Sequence, residues 1–212
     1  MHFIAHVFRV MLLLGFTMIF ACKFPWTDDL SSDGAVRYEF DFSCDGATAN
    51  YIELDKISRI SKFRSHVGHD YSDPYESNRS MKHYFVPRRH PVTIFSPTKG
   101  TVEYLTREWA GTQVGIRSKR YLFVIFHVSL NGSIEVGTQV SAGQELGTHV
   151  GSQTWSDIAV WQGDRLVSYF DVMADYVFEQ YRSRGIASRS QMIISQEERD
   201  RDISISDWVN LN

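Results

Sequence analysis

Short apolar segments separated by glycine turns dominate the middle of the chain, between residues 92 and 162. Such closely spaced runs of β-branched and aromatic residues are typical of antiparallel sheets, so the pattern predicts a mainly β fold with an antiparallel β-sheet core. Residues 122–126 are apolar throughout, which favours a central strand buried on both faces. The predicted strands are Val92–Phe95, Thr101–Leu105, Gln113–Arg117, Tyr121–Leu130, Glu145–Val150 and Asp157–Trp161.

The periodicity becomes helical after residue 167. Apolar residues recur at steps of three and four from Phe170 to Tyr181, which predicts a C-terminal helix with Ser168 as its N-cap. Ser195 and Glu198 have the spacing of a capping box, but no apolar run follows them, so we expect a solvated surface turn there. Residues 168–212 are therefore predicted to form a helical extension packed on the sheet.

The first residues have the pattern of a targeting segment. An apolar run from Val10 to Ala21 is too short to span a bilayer comfortably and has the length of a signal-peptide core. It ends in Ile19-Phe20-Ala21-Cys22, which resembles the lipobox of bacterial lipoproteins. We therefore expect residues 1–21 to be a signal peptide and Cys22 to carry a membrane lipid, with residues 22–50 as a tether and early strand.

An ordinary signal peptide or an uncleaved anchor is the alternative to lipidation. In that case Cys22 and Cys44, the only two cysteines, become free to form a disulfide in an oxidising compartment. Lys23 follows the cysteine where Gram-negative lipoproteins retained at the inner membrane carry Asp. By that resemblance the protein is expected at the outer membrane, facing the periplasm.

Length and charge limit the remaining possibilities. The 212 residues, of which 43% are hydrophobic, fit one globular domain, which we place at residues 51–167 between the tether and the extension. The formal charge of −3 is small and both signs are interspersed, so there is no basic stripe to follow a phosphate backbone. Nucleic acid is not expected as a partner.

Candidate chemistry is concentrated in two places. The segment His66-Val67-Gly68-His69-Asp70 places two imidazoles and a carboxylate within five residues, and these are groups that zinc accepts as ligands. His127 lies inside the apolar strand, where its ring needs a partner. The alternative for the segment from His66 to Asp70 is a polar loop without a metal. The alternative for His127 is a core histidine whose ring nitrogens are hydrogen-bonded within the protein.

The order of four motifs resembles the lysostaphin-type, LytM-like zinc endopeptidases that cut peptidoglycan cross-links, from about Arg64 to Trp161. The motifs are His66-x-Gly68-x-Asp70-Tyr71, then Ser96-Pro97-Thr98-Lys99-Gly100-Thr101-Val102, then Phe126-His127-Val128-Ser129, and lastly Ile134-x-Val136-Gly137-x-x-Val140-x-Ala142-Gly143-Gln144-x-Leu146-Gly147. The resemblance implies that family's β fold. It also implies that His66 and Asp70 bind zinc and that His127 assists catalysis.

The final motif departs from the family. Where the family has His-x-His, the best register places Asp157 and Ala159, so the last zinc ligand is missing. Side chains two apart on a strand share a face, so Asp157 remains a candidate ligand or catalytic partner. The segment 78–84, an insertion relative to the family, makes His83 a further candidate ligand.

Three hypotheses follow. The first is an exported envelope module that binds peptidoglycan or a protein partner without catalysis or with altered activity. The second is an active zinc endopeptidase with His66, Asp70 and either Asp157 or His83 as ligands. The third, a lipoyl-type carrier, is disfavoured because Lys99 is not set in a carrier motif.

Several flanking residues allow both a functional and a structural interpretation. The basic residues can bind carboxylates of a peptide stem, but a solvated face is the expectation for them. The tryptophans can line a groove, with core packing or strand-edge cover as the expectation. These residues are Arg79, Lys82, Arg88, Arg89, Trp109, Trp155 and Trp161.

Overall fold

The computed structural model describes residues 45–212. The signal segment, the lipidation site Cys22 and Cys44 all lie outside the described residues, so what the sequence indicates for them stays a prediction. Within residues 45–212 no helix is both long and apolar enough to cross a membrane.

The described part of the chain forms one antiparallel sheet with short helices at its C-terminal end, so the predicted mainly β class is confirmed. Each predicted strand is present, with ends that differ by two residues or fewer. The strands are β1 Ile57–Ser61, β2 His83–Pro87, β3 Thr93–Phe95, β4 Gly100–Arg107, β5 Thr112–Arg117, β6 Leu122–Leu130, β7 Gln139–Val140, β8 Glu145–His149, β9 Ser156–Gln162, β10 Arg165–Val167 and β11 Trp208–Asn210, and the α-helices are α1 Asp175–Arg182 and α2 Gln196–Arg201.

The strand order brings the polar stretch beside the apolar one. The main path is β11-β1-β2-β9-β6-β5-β4-β7, with β10 on β9 and with β8 joining β3 to β6. Strand β6 is therefore central, as predicted, and its residues 123–126 are buried. Strand β9 lies between β2 and β6, so it pairs with residues 83–85 on one side and with residues 122–125 on the other.

The two faces of the sheet pack against different partners. On β9, Ile158 and Val160 join the main core, while Ala159 packs with Val124 and Phe126 in a smaller second cluster. This division follows from the period of two along a strand. Asp157 shares the face of Ala159, so it belongs to the side of the sheet that carries the smaller cluster.

Two predictions about the C-terminal region were wrong. Helix α1 begins at Asp175 after Ala174 and has no side-chain cap, whereas Ser168 is buried and its hydroxyl contacts His83 instead. Ser195 and Glu198 form a true capping box that starts α2, so the segment is a helix rather than a turn. Local capping chemistry therefore formed this helix without an apolar run to support it.

Candidate functional site

A buried ion pair lies at the centre of the candidate site. Asp157, on β9, is fully buried, and its Oδ2 lies 2.6 Å from Nζ of Lys82, whose side chain is 1% exposed. Lys82 immediately precedes β2, and Tyr84, two residues later, pairs directly with Asp157 across the two strands. The expectation that Lys82 lies on a solvated face was therefore wrong. Burial raises the pKa of Asp157, and the Lys82 ammonium and His127 oppose that rise.

His127 is directed at this pair by an irregularity in β6. The register between β5 and β6 shifts near His127, and the residue itself has a left-handed φ of 60°. A bulge with such a backbone re-aims a side chain and is costly for a non-glycine residue. The ring contacts the Ala110 carbonyl through Nδ1 at 3.0 Å and approaches Asp157 Oδ1 through Nε2 at 3.5 Å. The structure thus brings His127 and Asp157, both candidates from the sequence, within 3.5 Å of each other, and their shared catalytic role stays a prediction.

Two further titratable side chains surround this centre: Glu108, which was not selected from the sequence, and His69, which was noted only as part of the segment from His66 to Asp70. Glu108 Oε2 lies 3.6 Å from His127 Nδ1, and burial raises the pKa of Glu108. His69 interacts electrostatically with Lys82, Asp157 and His127, and partial desolvation lowers its pKa. Glu108 follows β4 in a loop, so its approach to His127 depends on the sheet and has no local sequence signal. His69 lies within the recognised motif, but the family pattern points to His66 instead.

His66 is held by a different part of the chain. The guanidinium of Arg199, on α2, is 3.0 Å from His66 Nδ1. Because arginine only donates, Nδ1 must accept, which places the proton of a neutral ring on Nε2. Neither ring nitrogen then offers a lone pair to a metal. Arg199 is buried and also donates to the Arg64 carbonyl at 2.8 Å, so the contact is fixed in place.

Asp70 is likewise engaged with its own loop. One carboxylate oxygen accepts a hydrogen bond from the Ser72 hydroxyl, and the other accepts from the Asn78 backbone N–H at 3.1 Å. The Ser72 hydrogen bond is the largest influence that lowers the pKa of Asp70, and the charge of Arg79 adds to it. The carboxylate thus organises residues 70–79.

His83 lies in the main core. Its Nδ1 is 2.8 Å from the Ser61 carbonyl and therefore donates, while Nε2 is 2.9 Å from the Ser168 hydroxyl and accepts. Burial lowers the pKa of His83 to about 4, so the ring is neutral. Both nitrogens are used by these contacts.

The donor set does not fit the zinc site that the sequence resemblance implies. Among residues 45–212 there is no group of three or more His, Cys, Asp and Glu side chains that could hold a metal. Ala159, at the place of the missing ligand, is buried in the second cluster. His66 and Asp157 are each engaged by a cationic side chain of the protein itself, Arg199 and Lys82.

Two exposed tryptophans flank the buried centre, which excludes core packing for them and leaves strand-edge cover or a groove lining as their role. Trp109 is 78% exposed, and its ring centroid is 5.9 Å from that of His127. Trp155 is 38% exposed and lies edge-on to Tyr84 with centroids 5.9 Å apart. Exposed tryptophans supply apolar contact area that commonly serves binding.

Comparison with known proteins gives a likeness of structure only. No protein-family model and no curated protein matches the sequence. Among solved structures, Csd3 from Helicobacter pylori is 15% identical with a TM-score of 0.48, and the alignment covers 77% of this chain and 46% of that chain. This chain thus spans less than half of the Csd3 structure.

Two other solved structures extend the comparison. A chain of the SpoIIQ–SpoIIIAH pore-forming complex is 14% identical with a TM-score of 0.49, covering 66% of this chain and 99% of that one. The solution structure of lysostaphin is 16% identical with a TM-score of 0.34, covering 49% of this chain and 48% of lysostaphin. Lysostaphin is a peptidase of the type that the sequence motifs resemble in divergent form.

Proposed function

We propose that this chain is a noncatalytic binding module of a bacterial cell envelope. In this proposal it is exported, anchored at the outer membrane through a lipid on Cys22, and holds peptidoglycan or an envelope protein on the face flanked by Trp109 and Trp155. The observation that carries the proposal is that two candidate metal ligands already bind cationic side chains of the same chain. Arg199 donates a hydrogen bond to Nδ1 of His66, and the Lys82 ammonium forms an ion pair with the Asp157 carboxylate.

The chemistry of these contacts supports binding over hydrolysis. A zinc hydrolase needs three protein ligands and an open position where bound water becomes a nucleophile. Here a metal at Asp157 would have to displace a buried ammonium, and a metal at His66 would have to displace a buried guanidinium. Displacement of Lys82 would leave a desolvated ammonium without its carboxylate partner, which is costly, and displacement of Arg199 would remove a contact of a buried guanidinium that keeps its pairing with Asp207.

Zinc content tests the absence of a metal centre. The full-length chain is purified without added metal, loaded with zinc, desalted and analysed for bound metal beside His66→Ala. We expect no stoichiometric zinc in either protein. Stoichiometric zinc that is lost in His66→Ala would overturn the proposal and favour a zinc endopeptidase acting on peptidoglycan cross-links.

Cosedimentation with purified peptidoglycan tests the binding face. We expect Trp109→Ala to weaken binding about tenfold, because an exposed aromatic anchor commonly contributes more than 1 kcal/mol. Ile203→Ala is the matched control, since Ile203 is also 78% exposed but belongs to the C-terminal segment. If wild type does not sediment with peptidoglycan, an envelope protein becomes the expected ligand. Equal loss in both variants would contradict the assignment of this face.

A further inference from the structure

Lys82 is surrounded as a bound cation would be. Its Nζ lies 4.0 Å from the ring centroid of Phe126, 4.7 Å from that of Tyr71 and 5.1 Å from that of Tyr84. Asp157 completes the enclosure from β9. Aromatic rings around a carboxylate are the arrangement by which proteins recognise ammonium groups.

The enclosure is built by parts of the chain that are distant in sequence. Tyr71 comes from the end of the His66 motif, Tyr84 from β2 and Phe126 from β6, while Asp157 comes from β9. The loop is held close, since a Cβ on Gly68 would meet the Tyr84 hydroxyl at 2.2 Å. The rings and the carboxylate are therefore set by the sheet and the loop together, and Lys82 supplies only the charge between them.

We infer that Phe126, Tyr71, Tyr84 and Asp157 form an ammonium-binding cage whose resident ligand is the Lys82 side chain, in the cleft where the sequence resemblance implies zinc. The inference rests on the proposed function, because it requires that no metal competes for Asp157. The desolvated carboxylate needs a cation close by. Lys82 provides it covalently, so the cation does not depend on metal supply.

Truncation of Lys82 to alanine would leave a cage that accepts a primary alkylammonium ion. Lys82→Ala removes three carbons and the ammonium, so n-propylammonium matches the deleted atoms. n-Propanol has the same carbon chain without the charge, and it separates filling of space from the need for a cation. Lys99→Ala is the control variant, because Lys99 is exposed.

The experiment is thermal unfolding of the full-length chain and both variants, with n-propylammonium chloride, n-propanol or sodium chloride added at matched concentrations. We expect Lys82→Ala to lower Tm by about 10 °C, as for loss of one partner of a buried pair in a domain of this size. Propylammonium should recover much of that loss in a saturable manner, whereas n-propanol and sodium chloride should not. Wild type and Lys99→Ala should not respond. A folded Lys82→Ala protein that shows no ammonium-specific recovery would overturn the cage.

A second measurement uses the wild type in case Lys82→Ala does not fold. In a proton–nitrogen spectrum of the lysine ammonium groups, Lys82 should give a slowly exchanging signal shifted by the ring currents of Phe126 and the tyrosines. The assignment is made by its absence in Lys82→Met/Asp157→Asn, which removes both charges. If every lysine ammonium exchanges as an exposed one does, the inference is wrong.

Zinc analysis of the same preparations separates the two proposals. Stoichiometric zinc in the wild type would overturn the proposed function, and with it the basis of the cage. If the protein is metal-free and propylammonium does not recover the Tm of Lys82→Ala, the cage alone is overturned. If the protein is metal-free and propylammonium recovers the Tm of Lys82→Ala, both the proposed function and the cage are supported.

Discussion

The loop that carries His66 and Asp70 and the strand centre that carries Asp157 and His127 differ in the way that they hold charge. The loop side chains are exposed and take hydrogen bonds from neighbouring parts of the chain. The strand centre is buried, and its charges compensate one another through Lys82. The His66–Asp70 motif, which looks most like a metal site, therefore mainly stabilises its own loop. The strand centre around Asp157, where the family's final motif is altered, holds the denser set of charges.

The largest expected effect tests the buried pair. Lys82→Met and Asp157→Asn should each lower the free energy of unfolding by about 3–5 kcal/mol, because each leaves a buried polar group or charge unpaired. The double variant should lose less than the sum. Chemical denaturation of all four proteins measures the coupling.

The exposed pair Arg117–Glu103 is the matched control. Its N–O distance is also 2.6 Å, but each side chain is 41% exposed. Truncation of either residue to alanine should cost about 1 kcal/mol or less, because water screens the pair. Similar losses for the two pairs would remove the contrast between buried and exposed charge.

Acid should destabilise the fold through His83. The pKa of His83 is lowered from 6.5 to about 4 by burial, so the unfolded chain binds a proton that the folded chain rejects. Stability is therefore full above about pH 6.5 and falls as the pH drops towards 4, by about 3 kcal/mol for this residue. His83→Gln should flatten the pH profile of the unfolding free energy. An unchanged slope would show that His83 is not a source of acid sensitivity.

Removal of the buried guanidinium should have an intermediate effect. Arg199→Met keeps much of the side-chain volume but removes the hydrogen bonds to His66 and to the Arg64 carbonyl and the ion pair with Asp207. We expect a loss of about 2 kcal/mol. The same variant returns a lone pair to His66, so zinc binding that appears only in Arg199→Met would show that Arg199 is what excludes the metal there.

The smallest effect is expected at the exposed end of that contact. His66→Ala should change the free energy of unfolding by about 1 kcal/mol or less, because the side chain is exposed and leaves Arg199 with its other acceptors. Chemical denaturation measures this as well. A loss as large as that of Arg199→Met would mean that the imidazole, rather than the guanidinium, stabilises this region.

Sequence patterns worked best where burial is continuous and failed where it depends on distant residues. Residues 122–126 are apolar without interruption, and they form the predicted central strand. Strand β1, with the sequence Ile-Ser-Arg-Ile-Ser, lacks a clear apolar alternation and was not predicted, although Ile57 and Ile60 are fully buried. Its strand character comes from pairing with β2 and β11.

Lys82 shows why the centre of the site was not predictable. A lysine in a stretch rich in Arg, Ser and Asp is expected in water, because burial of an unpaired ammonium is costly. That cost is offset here by Asp157, which is 75 positions later in the chain. The sequence nevertheless indicated that His127 and Asp157 belong to one site, since both fell on motifs that the family brings together.

The sequence by itself determined the mainly β class, the approximate bounds of six strands and the candidate residues of the two motifs, because these depend on local periodicity and on residue types at fixed spacing. Tertiary structure alone decided which candidates meet and what occupies the space between them. The reason is physical: a lone pair or a charge binds whichever partner the folded sheet brings nearest. For His66 that partner is Arg199, and for Asp157 it is Lys82.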